Sequence, residues 1–316
     1  WAVFDWVVAS SDDHPEERRA LAARLARVMR RVALSKEEID RLPDNYAAAV
    51  ERRRFADDYD PEHTDRAFLP RDLFDATGPW LGITDSFTEP IAAQHASTFS
   101  HSEFSVLLNV PGGAAATLDY LKRLWDFSEP YTAEAFHDGE QRSALNPGLP
   151  QLPSGTKVAL IRKMLLIDSA GHIARSHLTE SVQLRVFHAP ARVRDSQGFH
   201  GDQDFFEFRT LRRLLFAGDS GGLHAIEPGE PGFVIFSSQG ADGFDGPMPT
   251  VPRAGVLQAC VNCHREHGIR SVLIAPRLLK PHPRLDFRHP RWSVYAQPAP
   301  AAKARRHDWG LLQAWW

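Results

Sequence analysis

The sequence predicts an α+β fold, with a helical N-terminal half and an antiparallel, β-rich C-terminal half. Three observations carry this. Apolar residues recur at three- and four-residue spacing over the first 55 or so positions. Apolar and β-branched residues alternate with polar ones between about 156 and 237. Segments rich in Gly, Pro, Asn and Ser separate the two patterns.

The first helix with a clear start begins at Pro15, a residue suited to a first helical position, with Glu16 and Glu17 in the positive first turn. Leu21, Leu25, Val28, Met29 and Val32 form its expected core stripe. Ser35 and Glu38 read as a capping box for a short helix ending near Pro43, and Asp44–Arg54 reads as a third helical piece. Prolines 61, 70, 79 and 90 break the pattern across 56–100. The alternation of Phe104, Val106, Leu108 and Val110 predicts a strand, closed by Pro111-Gly112-Gly113 and followed by a helix facing inward through Leu118, Leu121, Leu124 and Trp125.

Residues 138–155 read as a connection. Beyond it, 158–167 and the run through Val182, Leu184 and Val186 read as two strands joined at Ser169-Ala170-Gly171. Residues 205–216 read as a third long strand, and 233–237 and 271–275 as shorter ones. A short helix is expected over 255–267. The organisation expected is a mainly helical region 1–137, a β-rich region 156–296 and a tail 297–316 ending in Trp315 and Trp316, or one continuous domain.

The formal net charge of −3 and pI near 6.6 argue against a nucleic-acid partner. No run approaches the ~18–20 apolar residues of a transmembrane helix. The first residue, Trp1, is consistent with a removed signal peptide, hence with a periplasmic or extracellular protein.

Two cysteines occur in the 316 residues, and they fall together in Cys260-Val261-Asn262-Cys263-His264. This C-x-x-C-H spacing lets two thiols form thioethers with the vinyl groups of one haem while the next residue reaches the iron. The segment resembles the attachment site of c-type cytochromes. The resemblance is confined to these five residues and implies covalent haem c on Cys260 and Cys263, with His264 as proximal ligand. It further implies extracytoplasmic electron transfer with a redox partner protein or within a larger, membrane-associated complex, an electron carrier or subunit rather than a stand-alone enzyme. The chain departs from the small all-helical cytochrome c pattern, since the motif comes late and no Met follows it. Distal candidates are Met248, in a Gly/Pro-rich stretch before the motif, and His282 and His289, each beside a proline. An open iron site would instead suit peroxidase-type chemistry.

Two other readings compete. Cys260, Cys263, His264 and His267 match a Cys2His2 zinc set by residue type, but four ligands in eight residues would crowd a tetrahedron. Gly218-Asp219-Ser220-Gly221-Gly222 matches the nucleophile segment of trypsin-like serine proteases, with Ser220 as nucleophile. The plainer reading is a glycine-rich turn.

Overall fold

The protein was described from a computed structural model. It describes residues 1–9, 14–85, 102–135, 141–188, 202–228, 230, 257, 260–261, 264–272, 275–279, 285–288 and 307–316. The fold is α+β. Its helices are α1 (Ala2–Ala9), α2 (Pro15–Val32), α3 (Lys36–Asp40), α4 (Asn45–Glu51), α5 (Gly113–Trp125), α6 (Arg212–Phe216) and α7 (His307–Trp315). The strands are β1 (Leu81–Asp85), β2 (Ser102–Asn109), β3 (Tyr131–Ala135), β4 (Gln141–Leu145), β5 (Lys157–Ile167), β6 (Ile173–Phe187), β7 (Gln203–Thr210), β8 (Leu223–Ala225) and β9 (Leu285–Arg288).

Seven strands form one sheet in the order β8-β7-β6-β5-β2-β1-β9, and β3 and β4 form a separate hairpin. Every neighbouring pair in the large sheet is antiparallel. Strands β1 and β2, from the half read as helical, pair into the same sheet as the strands read from the C-terminal half.

Both faces of the sheet are covered, so its central strands are apolar on both sides. On one face Val106, Leu108, Val158, Leu160 and Phe187 pack under α5 and the 3-10 turns Gly268–Ser271 and Ala275–Leu278. On the other, Leu107, Ala159, Ile161, Val182, Leu184 and Phe208 pack under α4 and residues 55–80. Each fully buried Val, Leu or Ile contributes about 1.5–3 kcal/mol. A polar residue at Ile161, which is 0% exposed, would remove that gain in a central strand. A third cluster joins α1, α2 and α7 to Ile167 and Ile173 at the tip of the β5–β6 hairpin. The C-terminal tryptophans belong to it, with Trp315 edge-on to Phe4 at 6.0 Å.

The local start and stop signals hold. Ser35 caps α3 in the expected box with Glu38, and Asp44 Oδ1 accepts from the backbone N–H groups of Tyr46 and Ala47 at the start of α4. Several expectations are corrected. Helix α2 presents Ala22 and Ala26 to the core, with Leu25 and Met29 beside them, and leaves Leu21, Val28 and Val32 exposed. Small side chains let a neighbouring helix approach, which turns the seam by about one position. The predicted strand 205–216 stops at Thr210, because Leu211, Leu214 and Leu215 have helical spacing and open α6. The predicted connection 138–155 holds β4; of the strand predicted over 271–275, Ser271 ends one 3-10 turn and Ala275 begins another, and 273–274 lie outside the described residues. The predicted strand 233–237 lies outside the described residues.

Candidate functional site

The segment around the C-x-x-C-H motif sits on one end of the face formed by β6 and β7. Their register sets Arg185 opposite Phe205, Phe187 opposite Gln203 and Gln183 opposite Glu207. With a side-chain period of two, Gln203, Phe205, Glu207 and Arg209 share a face, while Asp204, Phe206 and Phe208 go to the other. Cys260 and His264 lie over the first set. The backbone N–H of His264 donates to the carbonyl of Cys260 at 3.0 Å, which closes one helical turn between them.

His264 is held from three sides. Its Nδ1 lies 2.8 Å from the carbonyl oxygen of Ser271, and its own carbonyl accepts from Gln203 Nε2 at 2.9 Å. The ring of Phe205 stands 6.4 Å away, tilted by 34°. Arg185 Nη1 is 3.3 Å from the same Nδ1. A carbonyl only accepts and a guanidinium only donates, so the two contacts ask for opposite tautomers; the shorter one, to Ser271 O, is satisfied with the proton on Nδ1, and Arg185 Nη1 then lies beside that atom without bonding to it. That tautomer puts the lone pair on Nε2, the form in which a histidine binds a metal while its other nitrogen is anchored to a backbone carbonyl.

Arg185 is the hub beneath it. It is 8% exposed and donates through Nε to Gln203 Oε1 at 2.9 Å, through Nη1 to Ser271 O at 3.2 Å, and through Nη2 to Gln203 Oε1 and Ser271 Oγ. Its guanidinium also lies over the rings of Phe187 (4.9 Å) and Phe205 (5.4 Å). Burial pushes its pKa down to about 9, against the pull of Asp202 and Cys260, so it is cationic at neutral pH.

Cys260 Sγ points to Glu207 Oε2 at 3.5 Å. The other oxygen of this buried carboxylate accepts from Arg209 Nε at 2.7 Å. Glu207 therefore keeps a charge-assisted partner if the sulfur becomes a thioether and loses its hydrogen. The anchoring of His264 through Nδ1 is compatible with metal ligation through Nε2, while the contact from Cys260 Sγ to Glu207 is one that a thioether would lose. Cys263 and the distal candidates Met248, His282 and His289 lie outside the described residues. His267 lies with its Nδ1 3.4 Å from Asp202 Oδ2, an oxygen that also accepts from the N–H of Gly268. Among the described residues, no group of three or more His, Cys, Asp and Glu side chains converges to hold a metal ion.

Ser220 is elsewhere. It is 1% exposed, in the 3-10 turn Ser220–Gly222, with its Oγ donating to Asp219 Oδ1 at 3.0 Å and accepting from Arg54 Nη1 at 3.4 Å. No imidazole is among these partners. Gly221 has φ +60°, and a Cβ there would lie 1.9 Å from the carbonyl oxygen of Asn45. The glycine is therefore explained by close packing against α4.

Arg185, Gln203, Glu207 and Ser271 were not singled out from the sequence. The only available signal was alternation, which on its own reads Arg185, Gln203 and Glu207 as solvent-facing positions of half-buried strands. Comparison of the chain with known protein families, curated proteins and solved structures finds no match.

Proposed function

We propose that the chain is a monohaem c protein of an extracytoplasmic electron-transfer system. The observation that carries the reading is the Nδ1–H of His264 donating to Ser271 O within a C-x-x-C-H motif, one helical turn after Cys260. It supports the roles read from the motif: Cys260 and Cys263 as covalent attachment points and His264 as proximal ligand. When bound, the haem supplies a one-electron couple at its iron. The chain's own residues orient the imidazole through Ser271 and Gln203, with the ring of Phe205 beside it. The sixth ligand is proposed among Met248, His282 and His289. One haem in 35.4 kDa is a low cofactor density, which supports a redox partner protein or a larger membrane-associated complex as the setting. Among the described residues, no helix is long and apolar enough to cross a membrane.

The test is a reduced-minus-oxidised visible spectrum of the full chain, produced in a host that attaches haem outside the cytoplasm, with a haem stain after denaturing electrophoresis. A stain that survives denaturation and a low-spin, six-coordinate spectrum are expected. Substituting the true sixth ligand among Met248, His282 and His289 converts the iron to five-coordinate. A five-coordinate, ligand-binding iron in the unaltered chain would favour the peroxidase-type reading. A bare polypeptide mass after expression with active attachment machinery would end the haem reading.

A further inference from the structure

Arg185 carries a formal charge into the protein interior, where the buried carboxylate of Asp202 pulls on it without touching it. Its acceptors are a side-chain amide, a hydroxyl and a backbone carbonyl, all neutral, and no carboxylate of the described residues forms an ion pair with it. Placing a cation whose direct acceptors are all neutral at 8% exposure is costly. Two aromatic faces and four hydrogen bonds offset part of that cost. The bonds run to the two groups that hold His264: the Ser271 carbonyl that accepts from its Nδ1, and the Gln203 amide that donates to its backbone carbonyl. Arg185, Gln203, His264 and Ser271 therefore form a closed ring in which one buried charge touches every other member.

We propose that Arg185 is the positioning residue of His264 and a fixed positive charge next to the imidazole that would ligate the iron, which would bias the couple toward the reduced state. This rests on the haem reading above. Two effects have the same sign. Reduction adds one electron and lowers the charge of the iron by one, so a nearby cation favours the reduced form. Arg185 also draws on the lone pairs of Ser271 O, which weakens the pull of that carbonyl on the Nδ1 proton. The imidazole is then a poorer electron donor, and a poorer donor stabilises the ferric state less.

The test is a potentiometric titration, followed by visible spectrum, of the haem-loaded unaltered chain, Arg185→Met, Arg185→Lys and Gln203→Glu. Arg185→Met is expected to shift the couple about tenfold toward the oxidised form, about 59 mV lower for one electron. Arg185→Lys, which keeps the charge but not the fork, should fall between. Gln203→Glu leaves Arg185 in place and sets a carboxylate in direct contact with it, so it should also lower the potential and remains informative if Arg185→Met does not fold. Stained, folded protein whose potential is unmoved in Gln203→Glu and in either Arg185 variant overturns the proposal and leaves the haem reading standing. An unaltered chain that takes up no haem overturns both.

Discussion

The Nδ1 atom of His264 lies 2.8 Å from the carbonyl oxygen of Ser271, seven residues along the chain. The contact ties the motif to the 3-10 turn Gly268–Ser271, and that turn is in turn clamped to β6 by Arg185. A ring that is fixed at one nitrogen presents the other in one direction. This is a rigid imidazole on a sheet scaffold rather than a side chain on a free loop.

His264→Gly, made in the haem-attaching host, should keep the covalent stain and lose the low-spin spectrum. Added imidazole should restore it, because in the proposed arrangement the thioethers would hold the porphyrin independently of the axial bond. Cys260→Ala with Cys263→Ala should abolish the stain. Retention of a low-spin spectrum in His264→Gly without imidazole would show that another residue is the proximal ligand.

Asn45 joins α4 to the sheet. It is 1% exposed, donates from Nδ2 to Thr179 O (3.0 Å) and Thr210 Oγ1 (3.1 Å), and accepts from Thr179 N at 2.6 Å through Oδ1. These bonds satisfy backbone groups where the β6–β7 ladder ends. Asn45→Ala leaves the Thr179 N–H without this acceptor, while the Thr179 carbonyl keeps its bond from Thr210 Oγ1, and should cost about 1–3 kcal/mol by urea unfolding. Asn45→Asp should cost at least as much, because it sets an acceptor against the Thr179 carbonyl. A loss under 1 kcal/mol for both would mean that water replaces the amide.

What was legible in the sequence was local or strongly periodic. The box at Ser35 and Glu38 involves four residues and needs no tertiary partner. Strand β5 and the far end of β6 showed themselves through β-branched alternation. Strand β1 did not, since it has five residues, one of them Gly82, and owes its place to pairing with β2 and β9. The hairpin of β3 and β4 stands outside the main sheet, and Tyr131 is 40% exposed, so burial wrote little apolar pattern there. Arg185 was not legible either, because its role depends on β7 setting Gln203 and Phe205 beside it and on a turn at Ser271 far along the chain.

Glu103 makes stability depend on pH. It is 1% exposed on β2, with Arg175 Nε 2.7 Å from Oε1. Burial pushes its pKa up to about 8, against the attraction of Arg175 and Lys163. A folded-state pKa above the unfolded value means that the native state binds the extra proton. The contribution is complete below the unfolded value of 4.5 and is lost as pH rises toward 8. Linkage of about 1.4 kcal/mol per pH unit, over the roughly 3.5 units between the two values, bounds the loss at ~5 kcal/mol. Glu103→Gln mimics the protonated acid, so unfolding of wild type and variant should differ little at pH 5 and favour the variant at pH 8. A difference independent of pH would show that the Arg175 pair keeps the carboxylate ionised throughout.

Gly221 and Ser220 separate a packed turn from a nucleophile. The φ of Gly221 is +60°, and an added Cβ would fall 1.9 Å from Asn45 O and 3.0 Å from Ala49 N, both backbone atoms that cannot swing aside. Gly221→Ala should therefore push α4 off β8 and cost about 3 kcal/mol or more, or prevent folding. Ser220→Ala removes the hydroxyl between Asp219 and Arg54, a partly exposed pair, and should cost only about 1 kcal/mol. Unfolding midpoints of the two variants decide the matter. Near-equal effects would mean that the turn is not pinned against α4. An esterase activity abolished by Ser220→Ala, with the unfolding midpoint unchanged, would instead restore Ser220 as a nucleophile and require a base from outside the described residues.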